Sequence, residues 1–241
     1  MDEASLAAGE LVYAVGDIHG RADLLADLLA RIAEDAGKSP VAEKRTLVFL
    51  GDYVDRGSDS RGVVDMLISG LPLGFDARFL KGNHEAILLD FLEDASKLPQ
   101  WRANGADATL RSYGVDVAGL DRSGAPADAW RQAFIAALPN AHRRFYQNLE
   151  LVAVCGDYLF VHAGVRPGVH LEAQDPEDLI WIRGPFLASD APFGKVVVHG
   201  HTPGAEPELR ANRIGIDTGA YFTNRLTALR LEGGSRRFLH T

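Results

Sequence analysis

Cysteine is nearly missing from this chain of 241 residues: Cys155 stands alone. A single thiol forms neither an intramolecular disulfide nor a thiolate zinc cluster, and such usage fits a reducing compartment, so a cytoplasmic location is the expectation. No run of about 18 apolar residues is present to span a bilayer, so no membrane partner is expected. The opening "MDEASLAAGE" lacks the basic and apolar regions of a secretory signal and reads as a short frayed arm. A basic excess is lacking as well. With 25 basic against 33 acidic residues the formal net charge is −8, which argues against nucleic acid as the main partner. No internal repeat or low-complexity tract suggests an array. What remains is ordinary soluble composition, 46% hydrophobic and 24% charged, at a length that one domain accounts for, with a monomer as the default.

The first hundred residues alternate between strand-like and helix-like runs. "LVYAVGD" (11–17), "RTLVFLGD" (45–52) and "DARFLKGN" (76–83) are apolar strands, each followed by a helical pattern. In the first helix, 22–35, Leu24, Leu25, Leu28, Leu29 and Ile32 share one face. The second runs through Val63, Val64, Leu67 and Ile68, and the third is "EAILLDFLED" (85–94). This βαβαβα rhythm predicts a layered α/β fold with a mostly parallel sheet. Residues 95–148 show no strands and read as a helical insertion or cap within one domain spanning 1–241. From 149 onward the pattern is β: a hairpin turning near Gly156-Asp157, then "KVVVHGH", "RIGIDTG" and "RLTALRLE", which predict a second sheet packed face to face on the first.

Polar residues gather where the strands end: Asp17 and His19 in "GDIHG", Asp52 in "GDYVDRG", Asn83 and His84 in "GNHE", His162 in "FVHAG" and His201 in "VVHGHTP". In open α/β sheets that edge is where ligands bind. Alternate residues of a strand point the same way, so Asp17 and His19 are placed to grip one ion. Asp52, with two carboxylate oxygens, is placed to bridge it to a second ion that also takes Asn83, His162 and His201. Oxygen and nitrogen donors without thiolate suit manganese, iron or zinc. Two such ions activate water for in-line attack on phosphorus. The bland reading, that Asp17 and Asp52 only cap the following helices, explains each alone and not the ordered set.

"GDIHG", "GDYVDRG" and "GNHE", followed by "HAG" and "GHTP", resemble the phosphoprotein phosphatase branch of the calcineurin-like metallophosphoesterases, in particular the small bacterial and phage serine/threonine phosphatases. The resemblance spans roughly residues 11 to 231. It implies two β-sheets sandwiched between helices and two divalent metal ions, manganese first with iron or zinc as alternatives. It also implies Asp17, His19 and Asp52 on one metal and Asp52, Asn83, His162 and His201 on the other. By the same resemblance His84 is the general acid, Asp55 the carboxylate that orients it, and Arg56 and Arg183 the arginines that hold the phosphate. Forked guanidinium donors suit phosphate oxygens.

The resemblance implies a metal-dependent phosphatase acting on phosphoserine or phosphothreonine in a phosphoprotein or phosphopeptide. A dinucleoside polyphosphate hydrolase is the alternative, since that neighbouring family shares "GDIHG" and the asparagine-histidine pair; Asp55 and Glu85 tilt the choice towards the protein phosphatases. An inactive scaffold with this fold is a third reading, disfavoured because every motif position is filled. Outside the motifs, His142, His170 and His240 read as surface residues, and His199 as a buried hydrogen-bonded one. Asp217 orients a ligand or caps a turn, and Asp59 is a helix N-terminal charge. Cys155 reads as buried and inert, and Trp101, Trp130 and Trp181 as packing residues.

Overall fold

The structure, a computed structural model, describes residues 4–39 and 42–241. Two five-stranded sheets lie face to face. The first contains β1 (Glu10–Val15), β2 (Lys44–Phe49), β3 (Asp76–Phe79), β9 (Thr227–Glu232) and β10 (Ser235–His240), in the order β10-β9-β1-β2-β3. The second contains β4 (Val152–Cys155), β5 (Tyr158–Val161), β6 (Val196–His199), β7 (Glu208–Leu209) and β8 (Arg213–Gly215), in the order β4-β5-β6-β8-β7. The expected sandwich of two sheets flanked by helices is thus the architecture, with both sheets mixed. β1, β2 and β3 are parallel, whereas β9 and β10 run antiparallel beside β1. The pattern predicts "RLTALRLE" as a strand of the second sheet and no strand at 235–240. The chain instead returns to the first sheet, where β9 buries Ala228, Leu229 and Leu231 against β1.

Alternation along β1 shows how the layers form. Val12 and Ala14 face the second sheet and pack with Val48, Phe160, Val198, Ile214 and Leu229. Leu11, Tyr13 and Val15 face the other way, into the helical layer. There they meet Leu25, Leu28, Leu29 and Ile32 of α1 (Ala22–Gly37), Val63, Val64 and Leu67 of α2 (Ser60–Ser69), and Phe91 of α3 (Asn83–Glu93). Asp59 is the N-cap of α2, its Oδ1 accepting the Gly62 N–H at 2.8 Å.

Residues 98–147 form α4 (Leu98–Ala103), α5 (Ala106–Ser112), α6 (Val117–Arg122), α7 (Ala127–Ala137) and α8 (Asn140–Gln147). Their apolar side chains join the core of the first sheet: the Trp101 ring lies 4.9 Å from Phe91 and 5.2 Å from Phe134. Three short helices lie between strands: α9 (Pro176–Trp181) and α10 (Gly184–Leu187) between β5 and β6, and α11 (Ala220–Thr223) between β8 and β9. No helix among the described residues is long and apolar enough to cross a membrane.

Several expectations outside the site change. His142 is buried, not a surface residue: Nδ1 meets the Tyr113 hydroxyl at 2.8 Å and Nε2 meets Asp65 Oδ1 at 2.9 Å, tying α8 to α2. His240 lies in β10, where Arg225 donates to it. Cys155 is only partly buried. Residues 1–3 of the expected frayed arm lie outside the described residues, but Leu6 is buried and its N–H donates to Gly233 at 3.0 Å.

Candidate active site

β1, β2, β5 and β6 deliver their carboxyl ends to one edge of the sandwich, and the polar clusters follow there in tight turns. Among the described residues six non-glycines have positive φ, and five belong to these clusters: His19 (46°), Asp52 (52°), Asp55 (68°), Arg56 (69°) and His201 (65°). Each such backbone costs roughly 1–3 kcal/mol and persists only where its surroundings fix it. Buried Glu85 does much of that fixing. Its Oε2 accepts the N–H groups of Asp52 (2.9 Å) and Gly82 (3.0 Å), and its Oε1 those of Tyr53 (2.8 Å) and Val54 (3.3 Å). Gly82 and Gly200 allow close approach: a Cβ would fall 2.1 Å from Asp52 Oδ1 at the first and 2.0 Å from Asp17 Oδ1 at the second.

Asp52 sits between two groups of donors. His19, Asp52 and His84 form one, and Asp52, His162 and His201 the other, each with its donor atoms within 4.8 Å of one another. Asp52 Oδ2 is 3.5 Å from His19 Nε2, and Oδ1 is 3.4 Å from His162 Nε2. Asn83 Oδ1 joins the second group, 3.0 Å from His162 Nε2. Asp17, expected beside His19, instead turns its carboxylate to the backbone N–H of His201 at 3.0 and 3.2 Å, bridging the two halves of the site.

The electrostatics of the cluster suit cations. Burial lowers the pKa of His19 to about 3 and of His201 to about 2, and it also lowers that of His162, so all three rings are neutral at pH 7. His19 Nδ1 and His162 Nδ1 each donate to a carbonyl, of Val54 and Leu50, both at 2.8 Å. That fixes the tautomer and leaves each Nε2 lone pair facing the cluster. Burial and the charges of Asp217 and Asp52 hold the Asp17 carboxyl well above its usual range. Crowded carboxylates beside bare imidazole nitrogens, with no thiolate, fit two divalent cations.

Next to this cluster His84 Nδ1 meets Asp55 Oδ2 at 2.7 Å, with both side chains fully buried. Asp55 also accepts from Thr109 Oγ1 at 2.6 Å and from Trp101 Nε1 at 3.1 Å. Burial works to lower the His84 pKa, but the Asp52 charge and the bond and charge of Asp55 outweigh it and leave the pKa raised. The guanidinium groups flank the cluster and are exposed. Arg56 Nη1 and Nη2 lie 3.1 Å from His19 Nε2 and His84 Nε2, and Arg183 Nε donates to His201 Nε2 at 3.0 Å.

Trp101 and Thr109 were not legible as site residues. They lie 46 and 54 positions after Asp55, in helices whose pattern speaks only of packing. Tyr221 was missed as well: its ring is edge-on to His19 at 5.5 Å, with the Arg56 guanidinium carbon 4.9 Å over its face. His199 belongs to neither donor group. Its Nδ1 pairs with Gly200 O at 3.1 Å, and its buried Nε2 has no partner. Asp217 caps a turn by accepting the Gly219 N–H at 2.8 Å. It also lies beside Asp17, and burial raises its pKa to about 6.

Residues 11–228 match the family of calcineurin-like phosphoesterases. Among curated proteins, the chain is 29% identical over 239 residues to bis(5'-nucleosyl)-tetraphosphatase PrpE [asymmetrical] of Anoxybacillus flavithermus, covering 90% of this chain and 88% of that one. It is 28% identical over 235 residues to the protein of the same name in Bacillus velezensis, covering 90% and 87%. Among solved structures, one provisionally described as a diadenosine tetraphosphatase superposes with a TM-score of 0.64 at 23% identity, covering 95% of this chain and 93% of that chain. A cold-active protein tyrosine phosphatase superposes with a TM-score of 0.57 at 18% identity, covering 99% and 81%. At those identities the structures speak for the fold.

The expectation of a serine/threonine phosphatase acting on a phosphoprotein is overturned, because the curated relatives that align with nine-tenths of the chain are named as nucleotide tetraphosphatases. The physical reason is visible in the two residues that tilted the choice. Glu85 accepts four backbone N–H groups, and Asp55 pairs with His84, Thr109 and Trp101, roles that a nucleotide hydrolase and a protein phosphatase can share. Asp52 between two sets of imidazoles, the His84–Asp55 pair beside them and the match over 11–228 lead to one placement: the chain belongs to the calcineurin-like phosphoesterases.

Proposed function

We propose that this protein is a metal-dependent hydrolase of dinucleoside polyphosphates, cleaving a phosphoanhydride bond with water. The reaction chemistry is carried by one observation, the placement of Asp52 between two imidazole groups with an exposed arginine beside each. The substrate class is supported by the name shared by the aligned relatives. Asp17, His19 and Asp52 would hold one cation, and Asp52, Asn83, His162 and His201 the other. When bound, such a pair supplies Lewis acidity, lowering the pKa of water and offsetting phosphate charge.

The remaining work falls to the chain. Arg56 and Arg183 fork onto phosphate oxygens from opposite sides and fix the phosphorus for in-line attack. Asp55 takes the His84 Nδ1–H, so a protonated His84 presents its Nε2–H to the site. That proton goes to the bridging oxygen as the P–O bond breaks, while water oxygen bonds to phosphorus and releases a proton to solvent, from which His84 is reprotonated. Asymmetric cleavage of a tetraphosphate leaves a nucleoside monophosphate and a nucleoside triphosphate.

Turnover of diadenosine tetraphosphate and of a phosphothreonine peptide, each with Mn²⁺, tests the reading. Preference for the nucleotide with AMP and ATP as products is expected. Preference for the peptide, or an untouched nucleotide, would overturn it.

A further inference from the structure

Each of the two site arginines has an exposed aromatic ring close by. On the His19 side, Tyr221 and Phe222 project from α11, Tyr221 38% and Phe222 57% exposed. Tyr221 has its face under Arg56, and Phe222 stands edge-on to Tyr221 with ring centroids 4.8 Å apart. On the His201 side is Trp181, 37% exposed, two residues before Arg183 and edge-on to His201 at 6.2 Å. Trp181 and Arg183 share a cleft of about 530 Å³ with Lys97, Gln100 and Arg166.

The turn that carries Tyr221 and Phe222 is firmly held. Arg21 Nη1 donates to Ala220 O at 3.0 Å and to Asn224 Oδ1 at 2.6 Å. Thr223 Oγ1 is hydrogen-bonded to Thr218 O at 2.8 Å and to Gly219 O at 3.0 Å. The Phe222 ring lies over Gly219, where a Cβ would come within 2.3 Å of it, so glycine at that position seats the ring. Large rings left in water forgo the gain of burial. Fixed rings beside a phosphate-gripping guanidinium are how proteins hold a base and its phosphate together, since every base has a π-face.

We infer that Phe222, backed by Tyr221, and Trp181 are stacking surfaces for the two nucleobases of the substrate, one on each side of the phosphate site. The inference rests on the proposed substrate class and deepens it. A dinucleoside polyphosphate carries a base at each end of its phosphate chain, which matches an aromatic ring beyond each arginine. Continuity of the rings with Arg56 and Arg183 makes a nucleotide the occupant.

The test uses the metal-replete full chain and the variants Phe222→Leu and Trp181→Leu, which keep apolar bulk and remove the π-face. KM for diadenosine tetraphosphate is compared with the inhibition constant of inorganic tripolyphosphate, a competitor without bases. Each variant is expected to raise the ratio of KM to inhibition constant roughly tenfold, the scale of one lost base–aromatic stack. A second readout needs no turnover. Trp101 and Trp130 are buried, so tryptophan quenching by diadenosine tetraphosphate that tripolyphosphate does not reproduce, and that Trp181→Leu abolishes, reports a base on Trp181. Hydrolysis with unchanged ratios and no base-dependent quenching would overturn the stacking surfaces and leave the proposed function standing. Base-dependent quenching without hydrolysis would do the reverse.

Discussion

The His84 imidazole and the Asp55 carboxylate lie 2.7 Å apart, Nδ1 to Oδ2, with no exposure of either side chain. Asp55 raises the His84 pKa through that bond and its charge, against the lowering effect of burial and in concert with Asp52. A group that acts as an acid works only while protonated, so a raised pKa carries activity to higher pH. Asp55→Asn removes the charge, lowers the His84 pKa and moves the alkaline limb of the pH–rate profile to lower pH. The loss in kcat is expected to be on the order of 10²-fold for substrates with poor leaving groups and smaller for good ones. An alkaline limb that stays in place would remove His84 from the acid role.

Thr109→Val tests how the helices at 98–147 reach the site. The substitution keeps shape but deletes the hydroxyl that donates to Asp55 Oδ1 and accepts the Asp55 N–H at 2.8 Å. Asp55 Oδ1, the Asp55 N–H and the buried Ser60 hydroxyl each lose a partner, at a cost of about 1–3 kcal/mol. Thermal unfolding is expected to show that loss, with a fall in kcat in parallel.

Gly200→Ala would place a methyl 2.0 Å from Asp17 Oδ1, so the carboxylate has to move. Elemental analysis is expected to find less bound metal in this variant than in the parent and less still in Asp52→Asn, which weakens both groups. Gly184, where a Cβ meets nothing within 4 Å, provides the control. Equal metal content in Gly200→Ala and Gly184→Ala would contradict a ligand role for Asp17.

Glu85→Gln exchanges one acceptor oxygen for an amide that points N–H at two backbone N–H groups. Destabilisation of roughly 1–3 kcal/mol is expected, because backbone N–H groups that stay buried lose their acceptor. Activity on nucleotide and on phosphoester is expected to fall by the same factor. A changed ratio between the two substrates would show that Glu85 reads the substrate after all.

Far from the site, Asp35 accepts the Tyr13 hydroxyl at 2.6 Å and pairs with Arg230 at 3.0 Å and with Arg237. Burial pushes its pKa up, but the Tyr13 bond and the two arginines outweigh this and leave the pKa lowered. A carboxylate with a depressed folded pKa stabilises the fold above its unfolded value, about 3.9, and that contribution is lost as pH falls through the folded value. Asp35→Asn is expected to lower Tm at pH 7, with a gap from the parent that narrows as pH falls below the unfolded value of about 3.9. A gap between the two proteins that stays constant across the acid range would contradict the linkage.

The sequence by itself determined the strand ends and their polar residues. Short apolar runs closing on Gly-Asp, Gly-Asn and His-Ala-Gly mark where a strand stops and a turn begins, so Asp17, Asp52, Asn83 and His162 were placed without coordinates. The α1 face was equally legible, since Leu25, Leu28, Leu29 and Ile32 are all buried as their spacing requires. Tertiary structure decided what spacing does not encode. β9 could pair with either sheet on pattern alone, and its place beside β1 depends on packing between layers. Trp101 and Thr109 reach Asp55 only because the helices fold back over the first sheet, and His142 is buried for the same reason. Asp55 and Glu85 show the limit in the other direction: both were legible, and only their hydrogen bonds reveal that Glu85 holds the backbone around Asp52 and that Asp55 holds His84. The proposed stacking surfaces, Trp181 and Phe222, are of the same kind: only the fold sets their rings near His201 and Tyr221, and their sequence context is that of ordinary apolar residues.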